Sequence, residues 1–279
     1  MASEVPIVLT IAGFDPSSGA GVTADIKTIA AHECYGIAAI TALTVQSTRG
    51  VRRVEPVSPD ILKATLEELV SDVEVAAVRI GMLGSGKLVK ILTDFLAAKL
   101  LPNVVLDPIL KSTSGADLLD RDGKSILRNN LLPLANVITP NAEEASELTG
   151  LPVVDLAQMR EAATKLHGMG AKAVVVTGGH LEKATELLSV AGKQGTEQEV
   201  FRSDRLPSRS THGTGCAFAT AIACHLALGR GLPEAVLLAK AYVSAAITNA
   251  QPIGKGTGPL HHLYRMGQQR RAAAAKAES

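Results

Sequence analysis

Short uninterrupted apolar runs alternate along the chain with stretches whose apolar positions recur every three or four residues. The runs 5–13 (VPIVLTIAG), 35–47 (YGIAAITALTVQS), 75–83 (VAAVRIGML), 103–110 (NVVLDPIL), 135–141 (ANVITPN) and 171–179 (AKAVVVTGG) have the continuity of strands buried on both faces. Helical spacing marks 22–33, 59–72, 86–100 and 155–170. In the last of these Leu156, Met159, Ala163 and Leu166 form one stripe, stopped by Gly168 and Gly170. Residues 184–206 predict two strands around the turn GKQG, and two long helices follow, 214–228 and 232–250. Buried strands separated by helices predict a three-layer α/β/α fold with a mostly parallel central sheet. In such sheets ligands bind beyond the carboxyl ends of the strands. Neither a repeat nor a domain linker interrupts the pattern. The expectation is one domain over 1–266 and a low-complexity tail over 267–279, frayed or disordered.

Composition narrows this picture. The chain has 279 residues, 46% of them hydrophobic, enough for a large core. Its net charge of +1 and its 3% aromatic content, with no Trp, argue against nucleic acid and acidic membranes as partners. No long uncharged apolar run or signal-peptide pattern is present, and the three cysteines form neither a disulfide framework nor a C-x-x-C pair. A soluble cytoplasmic protein is expected.

Several strand ends carry candidate chemistry. GMLGSGKL (81–88) nearly matches a P-loop, but Leu88 stands where a magnesium-binding hydroxyl is needed, so a plain strand–turn–helix corner is the better reading. AGFDPSSGAGVTAD (12–25) is a glycine-rich loop able to face an anion or a polar ring, with Asp25 in the first turns of the next helix. It also fits a flexible loop with a dipole-matched acid. Asp107 ends one apolar strand, and Asn141, Glu143 and Glu144 follow another. Carboxylates there suggest a Mg²⁺ environment, against the alternative of an N-cap with first-turn acids. In STHGTGC (210–216) a thiol sits where a helix begins. The first N–H groups of a helix have no internal partners and make an anion site. A thiol there is expected to have a lowered pKa, against the alternative of a small buried packing residue. A Cys216 dyad with His180 or His212 has no specific support from spacing.

Taken together, IAGFDPSSGAGVTADIKT, TALTVQST, GMLG, DPIL…SG, TPNAEEA, TGGH, THGTGC and IGKGTGPLHH occur in one order over residues about 9 to 262. This resembles the hydroxymethylpyrimidine/phosphomethylpyrimidine kinases of thiamin synthesis, in the ribokinase-like superfamily. The resemblance implies an ATP- and Mg²⁺-dependent kinase that phosphorylates 4-amino-5-hydroxymethyl-2-methylpyrimidine and then its monophosphate. It implies that Gly13, Asp25, Gln46, Met82 and Ile109 line the pyrimidine site. Asp107 and Glu144 would sit near Mg²⁺ and the ATP phosphates, with Asn141 and Thr177 beside them. Gly213, Thr214, Gly215 and Cys216 would form an anion hole, with Cys216 as base, and Lys240 would contact the nucleotide. A homodimer is the family's habit.

Three positions depart from the family pattern. Thr177 replaces a Lys that meets ATP phosphate, Lys111 replaces an apolar residue, and Phe14 replaces a small one. The alternatives are a pyridoxal or pyridoxine kinase on the same scaffold and, suggested by Thr177, a non-catalytic pyrimidine-binding protein.

Overall fold

Alternation with period two places successive side chains of a strand on opposite faces of a sheet, and this organises the whole molecule. The computed structural model describes residues 5–112, 115, 117–178, 183–192 and 195–267. Nine strands form one sheet in the order β3-β2-β1-β4-β5-β6-β7-β8-β9. They are β1 (Ile7–Phe14), β2 (Tyr35–Ser47), β3 (Gly50–Pro56), β4 (Ala77–Ile80), β5 (Val104–Leu106), β6 (Val137–Ile138), β7 (Ala173–Gly178), β8 (Ala184–Gly192) and β9 (Gly195–Ser203). Strands β2, β1, β4, β5, β6 and β7 run parallel, and β3, β8 and β9 pair antiparallel at the two edges.

The helices are α1 (Gly21–Ala31), α2 (Pro59–Asp72), α3 (Gly86–Ala98), α4 (Arg121–Ile126), α5 (Ala142–Thr149), α6 (Leu156–Gly168), α7 (Thr214–Ala227) and α8 (Leu232–Thr248). Helices α1, α7 and α8 share one face of the sheet, where Val8, Ala77, Val105, Val175 and the apolar surface of α7 form a core. Leu9, Val78, Leu106 and Val176, one residue on in each strand, point to the other face and pack with α2, α3 and α6. Helix α7 is buried from Cys216 to His225, as expected of a helix that is apolar all round.

The predicted three-layer, mostly parallel architecture is present. Strand β3 and helix α4 were not expected, α5 was expected only through the alternative N-cap reading at Asn141, and the strands within the runs at 75–83, 103–110 and 135–141 are shorter than their apolar stretches. The near-P-loop segment is an ordinary corner: β4 ends at Ile80 and α3 starts at Gly86. Residues 193–194 of the expected turn, His180, and 268–279 of the expected tail lie outside the described residues. Among the described residues no helix is long and apolar enough to cross a membrane.

Candidate active site

The parallel strands end on a common edge, and α7 begins at the same edge. Between them lies a cleft of about 420 Å³. Gly13 of β1, Gln46 of β2, Met82 after β4, Asp107 and Ile109 after β5, Asn141 and Glu144 after β6, and Thr177 of β7 all face it. So do Gly213, Thr214, Gly215 and Cys216 at the start of α7. Phe14 and Lys111 also line it. The Lys111 ammonium is 3.3 Å from Glu147 and half exposed.

At the floor is a residue that the motifs do not single out. Arg79 of β4 points, by alternation, to the same face as Ala77, toward α1 and α7. Its side chain is fully buried. Nη1 donates to Asp25 Oδ2 at 3.0 Å and Nη2 to Asp107 Oδ2 at 2.8 Å. Gly81 leaves room for the guanidinium, since a Cβ there would lie 1.9 Å from Nη1. Thr10 and Thr220 donate to Asp25 at 2.6 and 2.8 Å. Burial pushes the Asp25 carboxyl up, against the pull of Arg79 and both threonines. Expected in the substrate wall, Asp25 instead lies behind it: its side chain is fully buried and its place on the cleft is taken by Arg79.

Cys216 sits against this arginine. Burial dominates its titration and lifts the thiol to about 11, despite Arg79 and the N–H of Gly21, which favour the thiolate. The lowered pKa expected from helix position is therefore corrected: the dipole acts at the terminus, but the sulfur is desolvated. Helix α7 starts at Gly213, in the left-handed region at φ +84°, without a side-chain cap. Gly213 to Cys216 line the cleft, the Thr214 N–H bonds to Thr211 O at 3.3 Å, and a Cβ on Gly215 would meet nothing within 4 Å.

On the opposite wall Asn141 and Glu144 form a reciprocal capping box at the start of α5, each bond 2.9 Å long. The N-cap reading is thus correct, and it still leaves Glu144 facing the cleft. Burial lifts Glu144 to about 8, helped by the charge of Asp107. Asp107 itself is lifted to about 6 by burial, against Arg79. Among the described residues no group of three His, Cys, Asp or Glu side chains is arranged around a metal position. Thr139 is buried beside this pair with an unpartnered hydroxyl.

The glycine-rich loop is tied to the α7 loop by a second polar chain, Asp15–His212–Gln46, that the motifs only framed. His212 Nε2 is 2.8 Å from Asp15 Oδ2 and 3.2 Å from Gln46 Nε2. Burial pushes Asp15 up, but bonds from His212 and Ser17 outweigh it and hold the carboxyl below its ordinary value. His212 is thus engaged with Asp15 and Gln46 rather than forming a dyad with Cys216. Lys240 of α8 is not on the cleft wall. It is buried, donating to Ala184 O at 3.0 Å and paired with Glu186 of β8. The expected nucleotide contact there is replaced by a helix–sheet tie.

The phosphomethylpyrimidine kinase family matches residues 15–261. A hydroxymethylpyrimidine/phosphomethylpyrimidine kinase of Haemophilus influenzae is 42% identical over 266 residues, covering 93% of this chain and 97% of that protein. A thiamine biosynthesis bifunctional protein of Geobacter sulfurreducens is 43% identical over 256 residues, 92% of this chain, which spans about half (52%) of that protein's length. Among solved structures, an ADP complex of a Bacillus subtilis pyridoxal kinase matches with a TM-score of 0.85 at 35% identity, covering 94% of this chain and 100% of that one.

Proposed function

The chain belongs to the phosphomethylpyrimidine kinase family, and from that premise we propose that it uses ATP and Mg²⁺ to phosphorylate 4-amino-5-hydroxymethyl-2-methylpyrimidine, and then the monophosphate to the diphosphate, in thiamin biosynthesis. One observation carries the reading. A helix N-terminus bearing a buried thiol faces, in a single cleft, a glutamine amide and a pair of carboxylates. Each of the three matches a different part of such a reaction.

The residues fit the two groups that the reaction needs. Asp107 and Glu144 are hard oxygen donors whose carboxyls are raised by burial, and by Asp107's charge at Glu144. Mg²⁺ is commonly bound by one or two carboxylates together with phosphate oxygens. The open α7 terminus suits phosphate, and the Thr139 hydroxyl lacks a partner. ATP supplies the phosphoryl group, and Mg²⁺ offsets the charge on its oxygens.

The chain's own groups do the rest. The N–H groups of Gly213, Gly215 and Cys216 hold developing negative charge in place, while that of Thr214 donates to Thr211 O. Gln46 grips the ring edge, and Met82 and Ile109 flank it. Arg79 fixes Asp107 and supplies positive charge beside Cys216. Cys216 Sγ takes the proton of the substrate alcohol in the first phosphorylation. In the second, the acceptor phosphate is already ionised and needs no base.

The same reading takes residues 1–266 as one domain and carries a homodimer in the cytoplasm, acting on small molecules. Light scattering and cell fractionation check those points. The decisive assay measures ADP release with the pyrimidine alcohol, its monophosphate and pyridoxal in parallel. Turnover of both pyrimidines is expected. Turnover of pyridoxal alone makes the chain a pyridoxal kinase, and binding without turnover makes it a pyrimidine-binding protein.

A further inference from the structure

The hydrogen bonds around His212 fix more than the loops they join. Asp15 Oδ2 accepts from the N–H groups of Gly19 (3.2 Å) and Ala20 (2.9 Å) and lies 2.8 Å from His212 Nε2. The other oxygen, Oδ1, accepts from Ser17 N–H and Oγ–H at 2.8 and 2.7 Å. The Asp15 carboxyl sits below its ordinary value, so it is ionised at neutral pH and has no hydrogen to give. The proton between it and the imidazole therefore resides on Nε2, and His212 donates.

That assignment leaves Nε2 without a lone pair for its second neighbour, the Gln46 side-chain amide at 3.2 Å. An N–H of Gln46 facing this position meets another donor. On its far side the amide lies 3.1 Å from Thr44 Oγ1, which is also 2.9 Å from Phe14 O. The one hydrogen of the Thr44 hydroxyl goes to Phe14 O, the shorter contact, which leaves a lone pair toward the amide. Turning the amide by 180° puts a donor on that lone pair and an acceptor beside the Nε2–H, and the two ends of an amide are assigned from such networks. Gln46 Nε2 then donates to Thr44 Oγ1, Thr44 donates to Phe14 O, and Gln46 Oε1 is the second acceptor of the single Nε2 hydrogen of His212, shared with Asp15 in a three-centre bond.

We propose that the Asp15–His212 pair is a positioning device that locks the Gln46 amide with its carbonyl toward His212 and its amino group toward Thr44. One N–H and one lone pair of Gln46 remain, side by side and in a fixed order. They match a flat ring that carries an amino group next to a ring nitrogen. A ring lacking that adjacent donor–acceptor edge makes at most one of the two bonds. The ligand class rests on the function proposed above; the amide orientation does not.

Neutron diffraction of the full chain after deuterium exchange reads the orientation directly, whether or not the protein turns over a pyrimidine. Deuterium on the Gln46 end facing Thr44 is expected, and deuterium on the end facing His212 overturns the proposal. Kinetics test the positioning role. His212→Leu should raise KM for the aminopyrimidine alcohol about tenfold, the worth of one lost hydrogen bond, with KM for ATP within about twofold. His212→Gln, which returns a donor near the Nε2 position, should recover most of the loss. An equal rise in both KM values, or a folded His212→Gln protein that recovers nothing, overturns it.

Discussion

At a helix start the dipole favours a thiolate by roughly 0.3–1 kcal/mol, while loss of water around the sulfur works the other way and can exceed it. At Cys216 desolvation prevails, and the thiol is lifted to about 11. A base of that strength matches an alcohol well but is scarce at neutral pH, so its working form grows as pH rises toward 11. The first phosphorylation should therefore accelerate between pH 7 and 9, by about tenfold per pH unit where proton removal limits the rate. Cys216→Ala should abolish that slope and slow the first step about 100-fold or more, within the usual range for a lost general base. The second step should change far less. A flat pH profile, or equal loss in both steps, removes Cys216 from the role of base. Arg79 makes a separate prediction. Arg79→Met leaves Asp25 and Asp107 buried without their cation and should cost about 3–5 kcal/mol in denaturant unfolding near pH 8. Both carboxyls are raised in the folded protein. Protonation relieves them, so the deficit should shrink toward pH 5; a deficit independent of pH refutes the electrostatic origin.

Helix α7 brings the anion-binding terminus to the strand ends, and two glycines do different work there. Gly213 has φ +84°, and a Cβ on it would lie 1.9 Å from Gly19 O. Gly213→Ala must move either the glycine-rich loop or the helix start, with about 1–3 kcal/mol of backbone strain added. Lower melting temperature and lost activity are expected together. Gly215 has helical geometry and faces open cleft. Gly215→Ala should keep or slightly raise stability, by about 0.5–1 kcal/mol at most, yet lose activity because the methyl occupies the phosphate space. Unchanged activity in Gly215→Ala would move the phosphate elsewhere. These elements were legible in unequal degree. Apolar continuity found every parallel strand, because burial on both faces leaves little room for polar residues. It missed β3, GVRRVEP, whose charged residues stand exposed at the sheet edge, and it missed α5, whose eight residues open on acids. The site's glycines, Gln46 and Cys216 were readable because loops and helix starts restrict residue type. Which side of α1 carries Asp25, and which partner takes Lys240, depend on packing between elements that lie far apart in sequence. Arg79 was hidden for the same reason: in AAVRIGML it looks like an interruption, and only its two carboxylates explain it.

The layer made by α1, α7 and α8 holds both cleft-forming loops in place, and buried histidines stitch it together. His32 stacks edge-on with His225 and Tyr242 at centroid distances of 4.9 and 4.6 Å. His262, from the segment after α8, lies 3.1 Å through Nδ1 from the Thr28 hydroxyl of α1, and Tyr242 donates to its carbonyl at 3.0 Å. Its Nε2 is buried without a partner. Burial lowers His262 to about 4, with Lys27, His261 and His212 adding repulsion, and lowers His225 to about 4 as well. A histidine lowered in the folded state binds its proton later than in the unfolded chain as pH falls. It therefore contributes stability that is present above about 6.5 and lost as pH falls toward 4. Total stability is a poor readout of this, since Glu144 and Asp107 are raised and act with the opposite sign over an overlapping range. The difference between two proteins isolates the contribution of His262. His262→Asn keeps a polar atom near Nδ1 for Thr28 and cannot titrate. In urea unfolding at pH 7 the variant should be the less stable, through lost packing. Between pH 6.5 and 4 the gap should narrow by a few kcal/mol, at about 1.4 kcal/mol per pH unit, and can reverse. A gap that stays constant over that range would show that His262 titrates alike in the folded and unfolded chains, and that its role in the layer is packing alone.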